Sequence, residues 1–252
     1  MRTILPIIAL VAAACATGAQ KVRHSGGAAA LSEATATFAY AIRGADRPGW
    51  GPGWRAVVSD GELLLDSPTS AGWYRILVTE RREGDRRRIV TGEGVSLTID
   101  EGACRLPDHR QELPDRIRLN WDGGEFEACG ARRKAPPAQP LGTYWKLVRL
   151  GSDVAPSGRS PAAVFSFAPK GWVHGTQACN DTGAPIGWAG GRFVHGREGG
   201  GTTDMGCSDA AAAAFGRRFW TLMNRAKRWR IDGDRLFIAL PDGSIAELHY
   251  LL

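Results

Sequence analysis

From residue 35 onward the chain is written in short runs where apolar and polar positions alternate. That period of two puts one face of a β-strand in a core and the other in water. In the first half the alternation predicts strands over 35–42, 54–59, 62–66, 73–80, 86–91, 95–99, 117–121 and 125–129. Turn residues separate them: Asp60-Gly61, the polar tip Arg81-Arg82-Glu83-Gly84-Asp85, and Asp122-Gly123-Gly124 supply the left-handed or solvated positions that hairpins need. The expected product is an antiparallel sheet folded over one core. Glu83 and Asp85 break up the arginines of the tip, which reads as a solvated hairpin rather than a binding patch.

In the second half the pattern predicts strands over 145–150, 163–167, 172–176 and 184–188, then a Gly-rich loop and one helix. Ser208 is placed to cap that helix, with Asp209 in its first turn and Phe215, Phe219, Leu222 and Ala226 as its apolar stripe. Strands return over 228–231, 235–239 and 245–251, with turns at Asp232-Gly233-Asp234 and Pro241-Asp242-Gly243. The expected fold is mainly β to α+β: two small antiparallel β domains, the second with one packed α-helix. Residues 35–130 form the first and 141–252 the second. The Lys/Pro-rich stretch 131–140 (ARRKAPPAQP) is read as an exposed linker.

Composition narrows the class. Over 252 residues, 43% hydrophobic and 23% charged positions exclude a disordered chain, a collagen-like fibre and a polytopic membrane protein. Residues 1–14 read as an export signal: Arg2, an apolar run over 4–14 and the small residues Ala12-Ala13-Ala14. Cys15 directly after them resembles the acylated cysteine of bacterial lipoproteins, although Ala12 stands where that motif usually has Leu. Residues 15–34 would then be a tether, and the protein is expected to be exported, periplasmic and held at the outer membrane by lipid on Cys15. With Cys15 acylated, four of the five cysteines remain, and four allow three pairings. Because the linker separates Cys104 and Cys129 from Cys179 and Cys207, one disulfide per domain is the economical arrangement in an oxidising compartment. A metal site is disfavoured, since no CxxC occurs and no His stands at ligand spacing from a Cys.

The net charge of +6 is unevenly spread: +2 over 1–34, −3 over 35–130, +3 in the linker and +4 over 141–252. Much of the basicity lies at Arg217, Arg218, Arg225, Lys227, Arg228 and Arg230, read as late in the helix, where cations complement its dipole. No aromatic-basic recognition motif accompanies them, so no nucleic-acid partner is expected. Trp50, Trp54 and Trp73 are read as core rather than as an aromatic ligand site.

Two resemblances follow from particular residues. Gly49-Trp50-Gly51-Pro52-Gly53-Trp54, with Cys104 and Cys129-Gly130, resembles a small bacterial envelope domain of unknown function. There Gly51 and Gly53 replace the usual Glu and Phe. In the second half, Trp145-Lys146-Leu147, then Phe167, Gly175, Ala178-Cys179-Asn180 and Thr203-Asp204-Met205-Gly206-Cys207 resemble the META domain, the family of the outer-membrane lipoprotein HslJ. The helix with Phe219 and Leu222 and the closing 233–238 segment also fit, with Ala178 for the usual Gly and Ile238 for the usual Leu. The resemblance implies a mostly antiparallel β unit with one packed helix, exported and without established catalysis.

Catalytic signatures are near-misses. Residues 196–203 have P-loop glycine spacing, but Thr202 stands where the phosphate-contacting Lys must be. His174, His195 and His249 lie in strand-like contexts without paired ligands. No catalytic residue, metal or cofactor is therefore expected. The function expected is that of a non-catalytic envelope (lipo)protein of the META type, binding a protein, lipid or wall component in a stress or assembly role. The alternative is an inhibitor of a lytic enzyme or protease. Its partner is an unidentified envelope protein or ligand, its oligomeric state is open, and the candidate binding residues are Asn180, Asp181 and Thr203, on loops that a Cys179–Cys207 bond would pin together.

Overall fold

The computed structural model describes residues 40–45, 53–69, 72–107, 111–136, 138–196 and 199–251. Residues 1–14, read from the sequence as an export signal, residues 15–34 with Cys15, read as a tether, and Trp50 lie outside them. The eight segments predicted in the first half appear as β1 (Tyr40–Gly44), β2 (Arg55–Ser59), β3 (Glu62–Asp66), β4 (Trp73–Glu83), β5 (Arg87–Gly92), β6 (Val95–Cys104), β7 (Leu113–Trp121) and β8 (Gly124–Arg132). Each pairs antiparallel with its neighbour, and β8 returns to β1 from Tyr40↔Arg132 to Gly44↔Ala128, so the sheet closes into a barrel. Closure leaves the barrel no free edge. The inward positions include Ile42, Leu63, Leu65, Leu97, Ile117 and Leu119, all without exposed surface. Trp54 joins them as core. Asp60-Gly61 and Asp122-Gly123 have positive φ at both residues, the two-residue turn that matches strand twist. Cys104 and Cys129 lie with their sulfurs at bonding distance, 1.95 Å.

The second half is one long curled sheet. Its strands are β9 (Tyr144–Leu150), β10 (Asp153–Val154), β11 (Val164–Ala168), β12 (Trp172–Gln177), β13 (Asn180–Ala184), β14 (Ile186–Ala189), β15 (Arg192–His195), β16 (Gly201–Thr202), β17 (Arg228–Asp232), β18 (Arg235–Ala239) and β19 (Ile245–Tyr250). They run in the order β14-β15-β17-β18-β19-β9-β11-β12-β13-β16, with β10 on β9. Four of these, β10, β13, β15 and β16, fall outside the segments read from alternation, because they are short, glycine-bearing or half-exposed.

Among the described residues one helix, α1 (Ala210–Met223), packs across the sheet, burying Phe219, Trp220 and Met223 against Phe165, Phe167 and Trp145. Its cap is Asp209 rather than Ser208: the Asp209 carboxylate accepts the Ala212 N–H at 2.9 Å, a bond made from the residue directly before the helix. At Gly216 an added Cβ would sit 2.2 Å from the Ala162 carbonyl, so glycine lets the helix approach the 162 backbone. The helix also ends earlier than expected. Arg225 and Lys227 follow it, Arg228 and Arg230 stand on β17, and its last turn carries no basic residue. The dipole account of that basic cluster therefore does not hold. Ala226 is still buried in the same core, from beyond the helix.

Both halves belong to one compact unit, Thr37–Leu252. Val57 and Leu64 point out of the barrel yet are buried, because they meet Trp73, Val164 and Leu251 in a third apolar cluster, with Tyr144 at its side. Polar groups rim this seam. Glu62 takes Arg75 from its own sheet and Lys146 from the other, the latter at 2.8 Å. Burial alone would raise the Glu62 carboxyl, but the hydrogen bonds from Arg75 and Lys146 outweigh it and hold the group below its ordinary value of 4.5. The Arg75 N–H donates to the Arg159 carbonyl at 2.6 Å, and the Arg133 guanidinium, in the connecting segment, donates to the Tyr250 carbonyl.

Candidate functional site

The loop pair between β12 and α1 is where the candidate binding residues meet. A two-residue turn, Ala178-Cys179, joins β12 to β13, and Ala178 has φ +52°. Hairpin turns prefer glycine at such a first position. At the far side, β16 and the segment after it run beside β13, with Thr182↔Thr202 in register. Cys179 and Cys207 join the two loops, sulfurs 2.02 Å apart, closing 28 residues. In the loop-entropy account such a closure contributes about 3.5 kcal/mol.

Asn180 completes the pin. It is 5% exposed, its Oδ1 accepts from the Met205 N–H at 2.6 Å and the Thr203 hydroxyl at 3.1 Å, and its Nδ2 donates to the Met205 carbonyl at 3.0 Å. The Thr203 hydroxyl also accepts the Asp181 N–H at 2.9 Å, while the Thr203 N–H donates to the Asp181 carbonyl at 2.9 Å. Thus Asn180 and Thr203 use their polar atoms inside the protein, holding the two loops in one geometry. Asp181 contributes only backbone to that network, and its side chain is exposed.

What this scaffold presents outward is a different set. An open depression of about 520 Å³ is bordered by Asp204, Met205, Ala210 and Arg217, with Asn180 and Thr203 along one side. Met205 is 47% exposed although its backbone is fixed at both N–H and carbonyl. Asp204 and Arg217 add opposite charges at the rim. The sequence signal for this set was the segment Thr203-Asp204-Met205 itself, where the motif residues Thr203 and Cys207 bracket the outward-facing ones.

The described histidines are engaged singly. His174 Nδ1 accepts the Trp172 indole N–H at 3.1 Å, and burial pushes its pKa down. His195 Nε2 contacts the Ala226 carbonyl at 2.5 Å, and His249 Nε2 contacts Glu247 at 3.3 Å. Among the described residues no three His, Cys, Asp or Glu side chains converge as a metal would require. Trp73 lies in the seam between the halves. In the former P-loop look-alike, Thr202 belongs to β16 and bonds the Thr182 hydroxyl at 2.7 Å.

Among known families, residues 138–249 match the META domain, so a META domain makes up the C-terminal half. That match begins inside the connecting segment and does not reach the barrel. No curated protein and no solved structure matches the chain. The META domain suggests a bacterial envelope or stress-related protein, and it is not a known catalytic family. Its motif residues Cys179, Asn180, Thr203 and Cys207 are the ones that pin the loop pair, and Ala178, where the family usually has Gly, occupies the left-handed turn position.

Proposed function

We propose that the protein is an exported, non-catalytic envelope protein whose META domain recognises a protein, lipid or wall component in a stress or assembly role. The surface used is the pinned loop pair. The observation that carries this reading is the division of labour there: Asn180, Thr203 and the Cys179–Cys207 pair are spent on rigidity, while Asp204, Met205 and Arg217 border an open depression. Rigid exposed loops lower the ordering cost of binding. Met205 supplies a polarizable apolar contact, and Asp204 with Arg217 supplies orientation.

Lipid on Cys15 belongs to the same reading, since an acylated Cys15 would hold the recognition surface near a membrane. Fractionation tests that part: Cys15→Ser should move the protein from the membrane to the soluble fraction, and a parent protein already soluble would refute it. For the surface itself, a photo-crosslinking residue placed at Asp204 should capture a partner in intact cells, while one at Ser96, on the barrel, should not. Equal capture at both positions, or none at Asp204, would overturn the assignment.

A further inference from the structure

The arginines that the helix does not use assemble elsewhere. Arg192 on β15 and Arg228 on β17 stand directly opposite one another across the two strands. Like charges in that position destabilise a sheet. Arg230, two residues on, projects to the same face, its guanidinium carbon 4.1 Å above the centre of the Phe237 ring. These three arginines border a groove that continues over Phe237, Ala239 and Ile245, and no acidic side chain lines it. The Arg230 guanidinium pairs with Asp232 at 3.2 Å. Arg192 and Arg228 have no acidic side-chain partner among the described residues.

We propose that this groove binds a phosphate group carried on an apolar moiety, the chemistry of a phosphorylated lipid. Two unneutralised guanidinium groups held in register form a fork for phosphate oxygens, and Arg offers its donors in a planar array suited to that geometry. Anion binding would convert a cross-strand repulsion into a shared attraction. The apolar moiety lies along the strip beyond, where Ile245 is 50% exposed and Ala239 is also open to solvent. The Gly190-Gly191 turn at the mouth carries no side chain to obstruct entry. The site stands on the face of β15, β17, β18 and β19 and does not depend on the loop-pair reading.

Isothermal titration of the full chain with dihexanoyl phosphatidic acid, kept below its micelle concentration, tests this. Inorganic phosphate and dihexanoyl phosphatidylcholine serve as the two comparison ligands. The expected result is binding of the phosphatidic acid, weakened about tenfold or more by Arg192→Gln with Arg228→Gln, the loss expected for removing charge-assisted bonds. Ile245→Asn should weaken the lipid but leave inorganic phosphate unchanged, and Arg217→Gln, at the loop pair, should alter neither. Circular dichroism should show the double variant folded, since it relieves a repulsion. Equal affinity for inorganic phosphate would overturn the apolar arm in favour of a free anion. No binding by the parent, equal binding of phosphatidylcholine, or undiminished binding by the double variant would overturn the site.

Discussion

Replacing Asn180 by Ala separates a structural pin from a ligand contact. Three side-chain hydrogen bonds to oxygen or nitrogen partners disappear, two at Met205 and one at Thr203, along with weaker contacts of Nδ2 to the Cys179 and Cys207 sulfurs, from a residue only 5% exposed. At about 1 kcal/mol net each, the upper bound is about 3 kcal/mol. Met205 lies near solvent, so water recovers part of this, and the expected loss is about 2 kcal/mol. For a unit of this size that corresponds to a fall in Tm of about 4–8 °C. Thermal denaturation followed by circular dichroism under non-reducing conditions reads it. The same substitution in a Cys179→Ser, Cys207→Ser background should cost less, because the loops it joins are already loosened, and a double-mutant cycle measures that coupling. Asp181→Ala, whose side chain stays outside the network, should change stability by less than about 0.5 kcal/mol. If Asn180→Ala left Tm within 1 °C, the hydrogen bonds would not be holding the loops and the reasoning would fail.

The seam between the barrel and the META domain gives further tests. Glu62 has its pKa lowered by its partners, so its contribution is present above the ordinary value of 4.5 and is lost as pH falls through the depressed folded value; the Tm gap between parent and Glu62→Gln should be wide at pH 7 and close in acid, and a gap constant with pH would contradict it. Leu64→Ala empties a site that is 2% exposed at the seam and should cost about 2–5 kcal/mol in urea unfolding; a loss under 1 kcal/mol would show the cluster to be loosely packed. Proteolysis in the connecting segment should leave two folded halves that co-elute through the seam, with Leu64→Asp separating them; a nicked protein that unfolds would show that neither half stands alone.

The strands of the barrel were legible because each buries one face and exposes the other, as in β7, where Ile117 and Leu119 are buried and Arg116 and Arg118 exposed. The seam was written in the exceptions to that pattern. Ala56-Val57-Val58 and Leu63-Leu64-Leu65 are apolar at three consecutive positions and buried at all three, the mark of a strand covered on both faces. Closure of the barrel was not legible, since the β1–β8 register joins residues nearly ninety positions apart and no local pattern encodes it. In the META domain the helix core was readable in part, from the buried Phe219 and the half-buried Phe215 and Leu222, whereas the buried Trp220 and Met223 and the helix end were not. After Met223 no glycine marks the stop, and the basic residues that follow are good helix formers. The strand over 228–231 was read from its alternation, but the charge reading placed the same Arg228 and Arg230 at the helix end, and β17 decides for the strand. Gly190-Gly191, a two-residue turn signal between Trp188 and Phe193, was the clue that Arg192 begins a strand beside them. Of the site, the cysteine pair and the Asn180, Thr203 grouping were visible through motif spacing, whereas the outward role of Met205 depends on which of its neighbours are consumed by hydrogen bonds.

Hydrogen exchange at the amides of Asp181, Thr203 and Met205, measured with and without the envelope component captured at Asp204, bears most directly on the claim that the loop pair is a rigid recognition surface. In the free, oxidised protein these amides are bonded to Thr203, Asp181 and Asn180 and should exchange slowly, as do protected core amides. Reduction of Cys179–Cys207 should speed all three, and the bound component should slow exchange across 201–207 further. Fast exchange in the oxidised protein, or exchange unchanged by the captured component, would contradict the account.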